Sequence, residues 1–366
     1  MRSFESVRRV VVKIGTNVLS SGNAMDTGYI ERIAEQIAAM RAGNRQVVLV
    51  TSGAIGMGAR ELGLTRKVSN VEMRQACAAI GQPILMHAYK LAFQAHGITV
   101  AQVLLTSEVL NNRRTYVNLR NAVETLLSLG ALPIVNENDS VSTAEIGSTF
   151  GDNDRLSALV ASKLDADLLI MLTDIDGLYD RDPRRDSEAK LVPEVETVTD
   201  AIEQSAAGAG SEHATGGMRT KLKAARVAGN AGCRTVLAHG RETRVLERII
   251  AGEELGTVFG AGPRVKNRLR WLLHSEPQGR VLVDDGALAA IRRRNSLLVS
   301  GVRGVEGVFP AGAVVLVNDA AKIVSSFDSV QLRTIAGKQS REVRELLGPE
   351  ATGIVARPED MVFLDE

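Results

Sequence analysis

The 366-residue sequence predicts an α/β chain: a mostly parallel sheet covered by helices, then a small β-rich domain. Three observations carry this expectation. From Arg8 to about Gly260, short β-branched runs alternate with longer segments of helical period. The residues just after these runs are nearly all polar or glycine, as expected where a parallel sheet gathers ligands beyond its carboxyl ends. After Gly260 the runs shorten and are separated by Gly, Asp-Gly and Pro-Ala-Gly turns.

In chain order, strands are predicted over 10–14, 46–51, 98–105, 132–136, 168–172 and 235–238. Helices are predicted over 29–41, 71–93, 113–129, 155–164, 218–228 and 244–250, with Gly43, Gly130 and Gly229 as stop signals behind three of them. The first domain is placed at 1–260. Arg264, Lys266, Arg268 and Arg270 fall without an acid between 261 and 273, so 261–276 reads as an exposed basic linker. The second domain, 277–366, has predicted strands at 280–283, 297–299, 313–317 and 322–325, with one helix at 286–293.

Composition removes several function classes. With 45% apolar residues and a formal net charge of +1, the chain can build cores and is not globally disordered. Its longest apolar runs fall far short of the roughly 20 residues a membrane span requires. The apolar stretch behind Arg8 and Arg9 is cut by Lys13, too soon for a secretory core of about 7–15 residues. Cys77 and Cys233 are far apart and form no C-x-x-C pair, so they read as small buried residues in a reducing, cytoplasmic setting.

The chemistry-bearing residues cluster at the strand ends. They read Lys13-Ile14-Gly15-Thr16, Thr51-Ser52-Gly53-Ala54, Asn136-Glu137-Asn138-Asp139 and Thr173-Asp174. The phosphate loop G-x-x-x-x-G-K-[ST] is absent, and Gly53, Gly56 and Gly58 lack dinucleotide spacing. Gly15, Gly53, Gly56, Gly58, Gly216 and Gly217 nevertheless fall at strand-to-helix passages, where they either turn the chain or let backbone N–H groups approach a polyanion. The histidines show no metal-ligand spacing, and no protein-held metal is expected. Lys13 ends an apolar run and so requires a nearby anion. Asp152 and Asp154 are candidates, although both open a helix and could be caps instead.

Taken together, these segments resemble the amino acid kinase family followed by a PUA domain. The resemblance rests on 11–16, 50–55, 135–139, 151–154, 172–174, 177–179 and 215–221, in the family's order and over nearly the whole chain. It implies a three-layer αβα fold and transfer of the ATP γ-phosphoryl group to the side-chain carboxylate of free L-glutamate, the first step of proline biosynthesis. It also implies that Lys13 and Lys221 hold the phosphates, that Asp154 orients both lysines with Asp152 assisting, and that Gly15 and Gly53 offer backbone N–H groups. Ser52, Asn136, Asp139 and Asn153 would contact the amino acid, with Asp139 taking its ammonium. Thr173, Asp174, Thr215, Gly216, Gly217, Met218, Arg219, Thr220 and Lys221, together with Lys13, would contact ATP. Mg²⁺ accompanying ATP, feedback inhibition by proline, a homo-oligomer and a downstream glutamyl phosphate reductase follow from the same resemblance.

Two rivals were weighed against this reading. An RNA-binding role is disfavoured by the second domain, where 274–366 holds 11 basic and 13 acidic residues and only Phe309, Phe327 and Phe363 as aromatics. A kinase for aspartate, N-acetylglutamate or carbamate would share the fold. The 136–139 segment and the PUA domain favour free glutamate.

Overall fold

The computed structural model describes residues 2–21, 24–66, 68–106, 109, 113–141, 153–208, 217–262 and 267–364. The chain divides into two compact units, Met1–Arg264 and Val265–Glu366.

The first unit begins with β1 (Arg9–Ile14), the one-turn helix α1 (Thr16–Leu19), a small hairpin of β2 (Ser20–Ser21) and β3 (Ala24–Met25), then α2 (Thr27–Ala42). It continues through β4 (Gln46–Val50), α3 (Ala54–Glu61), α4 (Val71–Gln94), β5 (Val100–Leu105), α5 (Arg113–Ser128) and β6 (Leu132–Glu137). Then follow α6 (Asp154–Lys163), β7 (Leu168–Thr173), β8 (Glu194–Val195), α7 (Asp200–Gly208), α8 (Met218–Gly229), β9 (Arg234–His239), α9 (Val245–Ile250) and β10 (Thr257–Phe259). All eight strands apart from the hairpin form one sheet, in the order β5-β6-β4-β1-β7-β9-β10-β8. Every neighbouring pair is parallel except β9 with β10. The mostly parallel α/β architecture expected from the sequence is therefore present.

Burial of both faces explains why the central strands are continuous apolar runs. Period-two alternation sorts their side chains between two cores. Val10, Val12 and Ile14 join α2, α4 and α9 on one side. Val11 joins α5, α6 and α8 on the other. Lys13 has the parity of Val11, so its ammonium is delivered to the α6 and α8 layer.

Helix α3 was missed by the sequence reading, which placed Gly56 and Gly58 at a strand-to-helix passage. Both lie inside the helix. Their use is steric: a Cβ on Gly58 would lie 1.8 Å from Cys77 O, and one on Gly81 would lie 1.9 Å from Ala54 O. The pair lets α3 and α4 pack backbone against backbone. Gly53, just before α3, has φ +97°, a conformation glycine adopts without strain. Cys77 and Cys233 are both free and buried.

In the second unit, a five-stranded sheet runs in the order β13 (Val302–Glu306), β11 (Arg280–Val283), β14 (Val314–Val317), β15 (Ala321–Val324) and β17 (Met361–Phe363). A further pair is β12 (Leu297–Leu298) with β16 (Ile354–Ala356). Two expectations are corrected here. Part of the expected linker is a helix, α10 (Asn267–His274), which buries Trp271 and Leu272 beside Val314 of the same unit. Its positive charge suggested exposure, but Arg268 pairs with Asp360 and Arg270 is only 3% exposed. The unit also has more than one helix after the linker: α11 (Asp285–Arg292) is joined by α12 (Ser329–Ile335) and α13 (Ser340–Leu347). The last two open on side-chain capping boxes from Asp328 and Gln339, signals the short segments concealed.

Replacing Gly81 by Ala should force α3 and α4 apart and lower unfolding free energy by about 1–3 kcal/mol or more. Urea melts would check this, and an unchanged midpoint would show that the contact can relax.

Candidate active site

The carboxyl ends of β1, β4, β6 and β7 converge with the N-termini of α6 and α8. Lys13 ends β1 from the centre of the sheet, between Val50 of β4 and Met171 of β7. Lys221 lies one turn into α8. Their ammonium groups meet on one carboxylate: Lys13 Nζ is 2.7 Å from Asp154 Oδ1, and Lys221 Nζ is 3.1 Å from Asp154 Oδ2. Thr220 Oγ1 also donates to Asp154 Oδ2 at 3.0 Å. Relative exposure is 1% for Lys13, 0% for Asp154 and 5% for Lys221, so the group is buried. Removing charges from water is costly even when they are paired. Such a group is poor as a stability device and well suited to an incoming anion.

The helix-cap alternative for Asp154 is not what the structure contains. Asn153 is the N-cap of α6 and makes no side-chain cap bond, while Asp154 is the first helical residue. Its place in the first turn favours a negative charge. Its oxygens go to the lysines and Thr220 instead of to the helix backbone.

A second group extends from this cluster. Asn153 Nδ2 donates to Thr51 O and, at 2.7 Å, to Asn136 Oδ1. Asn136 Nδ2 donates to Gln82 Oε1 at 2.8 Å, and Gln82 Nε2 to Gln102 Oε1 at 3.0 Å. Gln82 and Gln102 line a cavity of about 280 Å³ together with Glu137, Asn138, Asp139 and Ser140. Among the described residues, no basic side chain lines it. Ser52 Oγ donates to Ile14 O at 2.9 Å, tying the end of β4 to that of β1. The buried phenol of Tyr89 shares a 2.9 Å hydrogen bond with Thr51 Oγ1 from below.

A third group borders Lys221. Thr173 Oγ1 donates to Asp174 Oδ1 at 3.0 Å, and Asn17 Nδ2 donates to Asp174 Oδ2 at 2.8 Å. Partial burial pushes the Asp174 carboxyl up, but bonds from Asn17, Thr173 and its own backbone, with the charge of Lys221, hold it below the usual carboxylate range. Gly217 caps α8, and its carbonyl accepts from Thr220 Oγ1 at 2.8 Å.

The structure thus brings Lys13, Asp154, Thr220 and Lys221 into contact, with Asn136 and Asn153 on one flank and Thr173 and Asp174 on the other. Asn136 is only 1% exposed and sits inside the amide chain, where the sequence reading put it on the substrate. Gly15 departs from expectation. Its amide donates to Leu172 O at 2.9 Å and so is not held out to a phosphoryl group. A Cβ there would lie 3.3 Å from Leu172 O, a tight approach to the backbone of β7. Met218 packs into the core and Arg219 is exposed. Asp152, Thr215 and Gly216 lie outside the described residues. Gln82, Gln102 and Asn17 were missed. The available signal for Gln82 was a polar residue on the buried stripe of α4, between Ala78 and Leu85.

The model of the amino acid kinase family matches residues 8–239, and that of the PUA domain matches 279–347. A glutamate 5-kinase of Methanosarcina acetivorans is 42% identical over 375 residues, covering 99% of this chain and 97% of its own. That of Geobacter sulfurreducens is 42% identical over 375 residues and covers 100% of both. Among solved structures, a carbamate kinase from Giardia lamblia bound to AMP-PNP matches with TM-score 0.52 at 14% identity, covering 70% of this chain and 100% of its own. That likeness concerns the fold alone.

Asp154→Asn should remove the carboxylate that the buried Lys13 and Lys221 ammonium groups share. A loss of about 3–5 kcal/mol is expected in chemical unfolding at neutral pH; a change below 1 kcal/mol would mean that the cluster is wetter or looser than its geometry indicates. With matches over nearly its whole length, the chain belongs to the amino acid kinase family, and within it to the glutamate 5-kinases.

Proposed function

We propose that the protein transfers the γ-phosphoryl group of ATP to the side-chain carboxylate of L-glutamate, giving L-glutamyl 5-phosphate and ADP. The observation that carries this reading is the convergence of Lys13 and Lys221 on Asp154. A phosphoryl group in transit spreads negative charge over its oxygens, and enzymes of this chemistry work mainly by positioning and neutralising it. Two ammonium groups held by one carboxylate supply that field from opposite sides, β1 and α8.

The acceptor needs no general base. A glutamate side chain, with pKa about 4.3, is already ionised at neutral pH. Its carboxylate oxygen attacks phosphorus directly and ADP leaves. Lys13 and Lys221 steer both anions, Thr220 and Asp154 hold Lys221 in place, and Gly53 starts α3 beside the reacting group. Asp139, lining the cavity at the other end of the amide chain, is the acceptor for the substrate ammonium. Thr173, Asp174 and Gly217 border the nucleotide side.

Mg²⁺ enters on the phosphates of ATP, where it neutralises charge. Among the described residues no three His, Cys, Asp or Glu side chains gather. Asp154 gives both oxygens to ammonium groups, and no step is assigned to the ion. Kinship with the glutamate 5-kinases further supports inhibition by proline at or overlapping the amino-acid site, a homo-oligomer, a reductase that consumes the labile acyl phosphate, and a cytoplasmic setting. Among the described residues, no helix is long and apolar enough to cross a membrane.

Coupled ADP release measured with glutamate, aspartate, N-acetylglutamate and carbamate should respond strongly to glutamate alone; a better response to any other acceptor would overturn the assignment. Lys221→Ala should lower kcat on the order of 10²- to 10³-fold with little change in glutamate KM. Asp139→Ala should chiefly raise that KM, by about tenfold or more. If both variants shift both constants alike, the division of labour is wrong.

A further inference from the structure

The amide chain Asn153–Asn136–Gln82–Gln102 has a direction, and one backbone atom sets it. A carbonyl oxygen can only accept, so the Asn153 group that meets Thr51 O must be its NH2. The same NH2 reaches Asn136, which must therefore present its oxygen. That turns the Asn136 NH2 towards Gln82, whose oxygen accepts it, and the Gln82 NH2 then meets the oxygen of Gln102. Each amide is committed by the one before it. The last consequence falls on Gln102, which has its oxygen occupied and its NH2 left for the cavity.

We propose that Gln82 is a positioning residue for amino-acid recognition: it relays a donor direction fixed at Thr51 O, so that Gln102 meets the ligand with N–H and not with C=O. The inference deepens the glutamate reading and rests on it. The group facing Gln102 is the α-carboxylate. The described lining residues offer it no cation, while Glu137 and Asp139 have the charge that suits the ammonium beside it. Neutral donors are then what holds that carboxylate, and neutral donors serve only if they point the right way. Gln82, itself 8% exposed, is the link between them, because its Oε1 is the acceptor that the Asn136 NH2 meets.

The test compares L-glutamate with L-isoglutamine, its α-carboxamide, since both carry a free γ-carboxylate. Gln82→Met keeps the length and removes both hydrogen bonds, leaving Gln102 free to turn either end to the cavity. Gln82→Glu still accepts from Asn136 but demands a donor from Gln102, which reverses that amide. In each variant glutamate KM should rise by about tenfold or more, isoglutamine KM should change much less, and ATP KM should stay put. A residue that merely filled space would shift both acceptors together. Equal shifts for the two acceptors, no shift for either, or a parallel rise in ATP KM would overturn the relay while leaving the function intact. If the unaltered protein releases no ADP with glutamate, both readings fall together. Should Gln82→Met fail to fold, Gln82→Glu decides alone, because it keeps the buried Asn136 amide satisfied.

Discussion

The fold is organised around a carboxylate that holds two ammonium groups out of water. Asp154 can do this because both lysines reach it from rigid elements: Lys13 from the central strand of the sheet and Lys221 from the first turn of α8. In a medium that screens poorly, the two ammonium groups act strongly on whatever anion arrives. Stability alone would favour apolar residues in the same space. On the proposed reading the cluster is preorganisation, a field in place before the reaction needs it.

The sheet makes that placement accurate. Strand parity assigns Val11 and Lys13 to the α6 and α8 face, and the buried valines on either side fix the register. Around this centre the loops are tied to one another: Ser52 to Ile14 O, Asn153 to Thr51 O, Gly15 to Leu172 O, and Asn17 to Asp174. The close approach of α3 and α4 through Gly58 and Gly81 brings Gln82 within reach of Asn136. A packing detail far from any charge thereby affects where an amide points.

How much of this could be read in the sequence depended on the range of the interaction. The six long strands and six helices of the first unit were legible because burial on two faces imposes strong local patterns, and their observed ends differ from expectation by only a residue or two. The strands β8 and β10 were not, since two or three residues carry no period and their pairing comes from distant chain. Lys13 stood out as a charge ending an apolar run. Gln82 did not, because a single polar residue in a long apolar helix gives no hint of what it faces until α4 is docked. The basic stretch after Gly260 misled for a related reason: local charge indicated solvent, whereas Trp271 and Leu272 had a core to cover. The role given to the Gly15 amide failed because a hydrogen bond to Leu172 O from the neighbouring strand is invisible in a motif.

The two ends of the site differ in kind, and the difference bears on which carboxylate is phosphorylated. On the proposed reading, glutamate presents two carboxylates, both ionised at neutral pH, and only one must meet the nucleotide. Ammonium groups attract either. Charge alone therefore cannot choose. The cavity end answers with geometry: paired acids, Glu137 and Asp139, draw the α-ammonium there, and the α-carboxylate one carbon away must follow it. Because that carboxylate is then met by neutral amides, it is held without a competing cation that would pull the triphosphate to the wrong end. The strong positive field remains confined to Lys13 and Lys221, where the side-chain carboxylate arrives by length. An amino acid one methylene shorter would keep its α-group seated and fall short of the lysines, so discrimination by length follows from keeping cations away from the cavity.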